Sequence, residues 1–306
     1  MAAVRIGIMS AGSMGAAVGH RITQNSRFET YTVVAGRSEA TQARARDAGF
    51  KLSPSLGELI ATTDVLFSIL PPGDAIPFVR EALPHIKGLP DRGAQYTFVD
   101  CNAVAPATSR TIAGLFEAEC AASFVDGSIV GGPPKEGYSP AIYLSAKDDG
   151  AAKLEKQLDG WGIITHVLDG GVGAASALKM SYASMTKGLI GLVALSMMGA
   201  NSNSVLQPLL AEISHSNTAA FSKVPQAASA LPTKSYRWVA EMQEIGAYFA
   251  EAGVPEGQEL FEGMAKLFDR TDKEKDGSLE EKGAGGVLRE AARLAKVEQE
   301  KGKQKE

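Results

Sequence analysis

The 306-residue chain predicts an α/β domain built on a doubly wound parallel sheet, followed by an all-α second domain. Three observations carry this prediction. Apolar runs of strand length recur through the first half with helix-like segments between them, the alternation stops at Asp169-Gly170-Gly171-Val172-Gly173, and the remainder is rich in Ala, Leu, Met, Lys and Glu without a convincing strand. A length of 306 at about 150 residues per domain also suggests two domains. The pattern places them at 1–168 and 169–306.

Taken in order, the strand-like runs are 4–9, 31–35, 65–70, 96–99, 124–130, 141–145 and 163–167, with helical segments such as 14–25, 39–48, 106–116 and 151–158 between them. Strand and helix alternating in this way cover a parallel sheet on both faces. Beyond Gly173 the longest apolar stretch, 188–200, is about 13 residues, short of the roughly 20 that span a bilayer, and reads as a buried helix. Asn201 to Ser204 and Pro208 mark a helix joint, and Pro225 and Pro232 bracket a second loop. The last eight residues, 299–306, have nothing apolar to pack and are expected to fray. No internal repeat is evident.

Composition narrows the function classes. Hydrophobic residues make up 44% and charged residues 22%, near the averages of folded globular proteins, which disfavours collagen, coiled coil and disorder. The net charge of −4 opposes a phosphate-backbone partner, so no nucleic acid is expected. Cys101 and Cys120 form neither a disulfide framework nor a CxxC pair, which fits a reducing cytoplasm. The opening residues do not suggest a signal peptide, and no membrane association is expected. His20, His85, His166 and His215 lack metal-ligand spacing. Asp272 to Gly277 imitates the start of a calcium loop, but two lysines interleave the acids and Gly283 stands where a bidentate Glu closes the shell, so a solvated loop and no metal are expected.

A cofactor site is legible at the start. Gly7-Ile8-Met9-Ser10-Ala11-Gly12-Ser13-Met14-Gly15 follows a strand and enters a helix, the setting in which backbone N–H groups and a helix dipole receive a pyrophosphate. Ser10 replaces the first glycine of the GxGxxG pattern, while Gly12 and Gly15 remain. At the end of the second strand an NAD-selective site carries Asp or Glu for the ribose hydroxyls. Here stand Arg37 and Ser38, which suit a 2′-phosphate, with Arg44 and Arg46 nearby. The expected cofactor is NADP.

Together these motifs resemble the β-hydroxyacid dehydrogenase superfamily, which includes 6-phosphogluconate dehydrogenase, 3-hydroxyisobutyrate dehydrogenase, tartronate semialdehyde reductase and the imine reductases. The resemblance covers most of the chain. It rests on Gly12-Ser13-Met14-Gly15, on Leu70-Pro71-Pro72, on Asp100 to Pro106, on Asp126 to Gly132 and on Gly171 to Lys179. The stretches Lys179 to Gly188 and Tyr236 to Met242 place it in a less characterised branch. The resemblance implies a Rossmann-like first domain; the helical half is expected to serve substrate and dimerisation, since 188–200 is apolar around most of a helix and needs a second copy to cover it. It further implies that Leu70, Pro71 and Pro72 lie along the cofactor, that Asn102 stands near nicotinamide and substrate, and that Gly131 and Gly132 orient the substrate. Two positions depart from the family: Val130 precedes the paired glycines where a serine is usual, with Ser128 two residues earlier, and Ala183 replaces an asparagine.

Lys179 follows the glycine-rich hinge near the start of an apolar helix, with Tyr182, Ala183 and Thr186 on roughly its face. Desolvation lowers the pKa of a lysine and makes it usable as acid or base for a hydroxyl whose carbon exchanges hydride with nicotinamide. Tyr182 is the second candidate proton donor, and Arg237 could clamp an anionic substrate group. The reading is an NADP-dependent oxidoreductase interconverting a small hydroxy acid, or sugar acid, with its keto form, acting as a homodimer on a small-molecule substrate. Imine reduction and a non-catalytic NADP(H)-binding regulatory protein are the alternatives.

Overall fold

The computed structural model describes residues 3–89, 93–274 and 283–303. The chain divides into two compact units, Met1–Met180 and Ser181–Glu306.

In the first unit, β1 (Val4–Met9), β2 (Phe28–Val33), β3 (Lys51–Ser53), β4 (Val65–Ser68), β5 (Thr97–Asp100), β6 (Ser123–Val130), β7 (Ala141–Ser145) and β8 (Ile164–Val167) form one sheet. Its order is β3-β2-β1-β4-β5-β6-β7-β8. The pairs are parallel except β6 with β7. Between the strands run α1 (Ser13–Thr23), α2 (Glu39–Asp47), α3 (Leu56–Thr62), α4 (Ala75–Lys87), α5 (Pro106–Glu119) and α6 (Gly150–Gln157).

The period of two shows why both sheet faces are covered. Along β4, Val65 and Phe67 join one core with Ile6, Ile8, Val18 and Leu154, while Leu66 joins the other with Phe98, Leu59 and Phe116. Every β4 side chain is therefore buried, which is why this strand reads as an unbroken apolar run. The chain leaves β1 toward β2 on one side and returns to β4 on the other. The resulting switch point lies at the carboxyl ends of β1 and β4, where ligands of doubly wound sheets bind.

Two elements escaped the sequence pattern. β3 is three residues long with Lys51 and Leu52 exposed, so only its pairing with β2 reveals it. α3 carried a readable signal, because Ser55 accepts from the Glu58 N–H at 3.2 Å, the serine half of a capping box. β2 starts at Phe28, earlier than expected, and residues 34–36 become the turn that presents Arg37. The glycines expected to open the second domain lie in the first unit, together with the first turns of α7 (Ala174–Ser202).

The second unit comprises the rest of α7 with α8 (Leu206–Ser216), α9 (Thr218–Phe221), α10 (Val224–Glu251), α11 (Pro255–Lys273) and α12 (Ala284–Lys303). The loop expected between Pro225 and Pro232 is instead continuous helix. Pro225 sits in the first turn of α10, where its missing N–H costs nothing, and Pro232 is carried inside because Leu231, Ser235, Trp238 and Met242 bury one face across it. The tail expected from residue 299 is likewise helical as far as Lys303, supported by a Lys301–Glu298 pair. Asp272 and Lys273 end α11, and Glu274 accepts from the Ala284 N–H at 3.0 Å; residues 275–282 of the calcium-like segment lie outside the described residues.

α7 differs from the buried helix expected. It has 29 residues, long and apolar enough by length and composition to cross a membrane, and 39% of its most apolar window is buried. Gly188 packs toward Phe261, and Gly191 toward Met264 and Phe268. Ile190, Val193, Ala194 and Met197 are buried on one face of the helix, whereas Met185, Leu192 and Leu195 are exposed.

Candidate active site

The candidate cofactor cradle is the turn from β1 into α1. Gly12 occupies the N-cap of α1 without a side-chain cap, and no acidic residue stands in the first turn, so the first N–H groups and the positive end of the helix face an anion unopposed. A Cβ on Gly15 would run into the Ser10 carbonyl, which explains the glycine there, whereas a Cβ on Gly12 would meet only the Ser10 hydroxyl, at 3.8 Å. The backbone at Gly12 is thus open to close approach. These features fit the diphosphate of a dinucleotide.

Beside this turn lies a cavity of about 580 Å³ lined by Met9, Val33, Gly36, Arg37, Leu70 and Phe78, among others. Gly36, with φ of 70°, makes the left-handed turn that brings Arg37 to the rim. Ser38 is the N-cap of α2: its hydroxyl lies 3.4 Å from the Thr41 N–H and 3.1 Å from the Thr41 hydroxyl. Arg44 reaches from α2 back to the glycine turn, its Nε 3.5 Å from the Ala11 carbonyl and one Nη 2.8 Å from the Thr41 hydroxyl. Arg37 at the cavity rim and Arg44 at the glycine turn are both cationic. The same rim carries Asp74 and Glu81.

Asn102, just past β5, is almost fully buried. Its Oδ1 accepts from the Leu70 N–H, and its Nδ2 donates to the Ser68 hydroxyl at 3.0 Å. The side chain thereby pins the start of the Leu70-Pro71-Pro72 turn to the end of β5. One Nδ2 hydrogen remains for other contacts.

The candidate catalytic group stands at the carboxyl end of β6. Lys179, on the second turn of α7, donates from Nζ to the Ile129 carbonyl. Burial lowers its pKa from 10.5 to about 8, with the Cys101 thiol opposing in the other direction. The same enclosure, with Asp100 and Asp126 near, pushes the Cys101 thiol well up. Ser128, two residues from Asp126 on the same face of β6, is buried, and its hydroxyl has no hydrogen-bond partner among the described residues.

Gly131 and Gly132 follow β6. Gly131 has φ of 122°, and a Cβ there would collide with the Tyr138 hydroxyl; Gly132 donates its N–H to that hydroxyl at 3.2 Å. Tyr138 thus occupies a backbone donor expected to serve the substrate. No local pattern announces this contact, because it depends on the turn in which Lys135 and Tyr138 exchange backbone hydrogen bonds.

Buried Asp126 also escaped the sequence reading as an individual residue. It accepts from the Gly173 N–H at 2.9 Å, the Ser176 N–H at 3.1 Å, the Ser176 hydroxyl at 2.7 Å and the Ser145 hydroxyl at 3.0 Å. Burial still outweighs these four donors and raises its pKa.

The second unit holds the other two candidates. Tyr182 is 38% exposed. Arg237, on α10, has a buried Nε without a hydrogen-bond partner among the described residues. Near it in sequence, Glu241 pairs with Lys187 of α7, and the Lys187 ammonium sits 5.7 Å from the centre of the Trp238 ring. This ion pair accounts structurally for two of the residues that marked the branch.

A family model described as the NAD binding domain of 6-phosphogluconate dehydrogenase matches residues 5–168, more than half of the chain. The chain belongs to that family. A model of a domain of unknown function, DUF1932, matches residues 200–271. A 28.5 kDa protein from Methanothermus fervidus is 27% identical over 190 residues, which are 62% of this chain and 68% of that protein. Among solved structures, 3-hydroxyisobutyrate dehydrogenase from Salmonella typhimurium aligns with a TM-score of 0.67 at 16% identity, over 94% of this chain and 99% of its own. An imine reductase from Myxococcus stipitatus in complex with NADP+ aligns with a TM-score of 0.55 at 18% identity, over 94% and 99%. At these identities the two structures share the fold. The first domain is an NAD(P)-binding Rossmann-like domain, and the family is that of hydroxyacid dehydrogenase-like oxidoreductases.

Proposed function

We propose that this chain is an NADP-dependent oxidoreductase that interconverts a small hydroxy acid or sugar acid with its keto form, with Lys179 moving the proton. The observation that carries the reading is the placement of Lys179: an ammonium drawn out of water to a pKa of about 8, held on the Ile129 carbonyl beside the Gly131-Gly132 turn. At that value both protonation states are populated near neutral pH, as acid and base work requires. Bound nicotinamide exchanges a hydride with the substrate carbon. In oxidation the neutral amine of Lys179 takes the hydroxyl proton; in reduction the ammonium returns it to the carbonyl oxygen. The Ile129 carbonyl accepts a hydrogen bond from Nζ in either state and holds the group in place.

NADP is favoured over NAD by Arg37 at the cavity rim, with Ser38 next to it in sequence, because the segment that follows β2 carries no carboxylate for the ribose hydroxyls. Leu70, Pro71 and Pro72, anchored by Asn102, form the facing wall of the cofactor cleft, while Ser10, Ser13 and Met14 contribute backbone to the diphosphate cradle. On the substrate side, Gly132 presents its N–H once Tyr138 yields it, and the Ser128 hydroxyl is a second polar group at hand. Arg237 is the proposed partner of a substrate carboxylate or phosphate. The setting is cytoplasmic and the functional form a homodimer.

The test is a panel of hydroxy acids with NADP+ and of the matching keto acids and imines with NADPH, followed by NADPH absorbance. Turnover of a hydroxy or keto acid is the expected result. Turnover confined to imines, or tight NADPH binding without turnover across the panel, would contradict the proposal.

A further inference from the structure

We infer that Asp126 is the positioning residue of the site, closing a hydrogen-bonded ring that fixes where Lys179 stands. The inference rests on the dehydrogenase reading only in calling Lys179 the proton carrier. β6 and the start of α7 are tied together twice. At one end Asp126 receives the Ser176 N–H and hydroxyl; at the other, three residues on along each element, the Ile129 carbonyl receives Lys179 Nζ. Residues three apart on a helix share a face, so the Asp126–Ser176 tie sets the rotation of α7 that aims Lys179 at Ile129.

The side-chain ties of the first turn of α7 converge on Asp126 and its neighbour Ser145. Gly173, which precedes the helix, has no side chain to cap it, and the Gly173 and Ser176 N–H groups turn to Asp126 instead. Ser145 of β7 completes the knot, donating to Asp126 and accepting from the Ala175 N–H at 3.1 Å. A buried carboxylate with four donors costs desolvation that a purely apolar contact would avoid. What it provides is a fixed direction for the helix start.

Burial is the main cause of the lowered Lys179 pKa, and the acceptor geometry of Asp126 is what keeps Nζ enclosed. Asp126→Asn keeps an oxygen for the Gly173, Ser176 and Ser145 donors and can turn its amide toward the Ser176 hydroxyl, whereas Asp126→Ala leaves these donors orphaned.

The experiment is a 13C NMR titration of the full chain with ε-13C-labelled lysine, Lys179 being assigned from the signal lost in Lys179→Met. It needs no substrate, so a failed substrate panel leaves it interpretable. The wild-type Lys179 signal is expected to titrate near 8. In Asp126→Ala the midpoint rises by about one pH unit or more as the ammonium gains water, with NADPH affinity within about twofold of wild type, since the glycine turn is untouched. In Asp126→Asn both return to wild-type values. Should Asp126→Ala fail to fold, Ser145→Ala/Ser176→Ala removes two of the four donors and is expected to raise the midpoint in the same direction. An unchanged midpoint in the variants that lack the tie, a wild-type midpoint near 10.5, or an Asn variant that titrates like the Ala variant overturns the inference.

Discussion

Arg37 owes its position to its neighbours in sequence. Gly36 turns the chain in the left-handed region, and Ser38 caps the following helix, so the guanidinium projects from a short rigid link instead of a floppy loop. The missing carboxylate is visible in the residues alone, whereas the Gly36 turn and the Ser38 cap emerge only in the fold. Asn102 and Tyr138 show the opposite case. Asn102 was legible as a site residue, but its bond to the Leu70 N–H joins positions 32 apart in sequence, which no local pattern displays. The Tyr138 contact with Gly132 depends on a turn whose shape is set by its own backbone bonds. Arg37→Ala is expected to lower NADP(H) affinity by about 10–100-fold, the range for losing a charge-assisted hydrogen-bonding group. NAD(H) affinity should change by less than about twofold. Isothermal titration with both cofactors reads the difference, and equal losses for the two would contradict the assignment.

Among the elements, those with a strong period were the most legible. β4 and β5 place alternate side chains in two cores, and their apolar runs announced them. β3 was hidden because an edge strand of three residues with two exposed side chains has almost no pattern. In α10 the prolines misled: the local cost of Pro232 is real, but one buried face running from Val224 to Gly246 outweighs it. α7 is the element whose sequence left the most open. Its apolar residues are divided between a packed side and an exposed one, where Met185 is 67% exposed, Leu192 47% and Leu195 45%. Their spacing of seven and three residues puts them on one stripe. A second copy of this chain laid along that stripe would remove it from water, consistent with the proposed homodimer. Light scattering is expected to give twice the 32.0 kDa chain mass, and Met185→Glu/Leu192→Glu should shift it to the monomer with the fold of the first unit intact. A wild-type monomer across a wide concentration range would reject the stripe as the dimer contact.

For the whole molecule, the composition, the alternation and its abrupt end at the glycine hinge were enough to foresee two units of different class. The compact units divide after Met180, beyond the glycines at which the alternation ends. The glycines that end the alternation are bonded through Asp126 into the first unit, because helix starts follow their hydrogen-bond partners, whereas composition changes only where the strands stop. The consequence for function is that Lys179 belongs to the nucleotide-binding unit and is fixed by its sheet. Whether Lys179 carries the proton is read by single-turnover hydride transfer in Lys179→Met across pH, on a substrate that the panel identifies. In the wild type, reduction should slow as pH rises through about 8, because the ammonium is the acid, and oxidation should accelerate over the same interval, because the neutral amine is the base. Lys179→Met should reduce the rate by about 10²–10⁴-fold, abolish that pH limb and leave NADPH affinity unchanged. Near-normal hydride transfer with the limb retained would remove Lys179 from the mechanism.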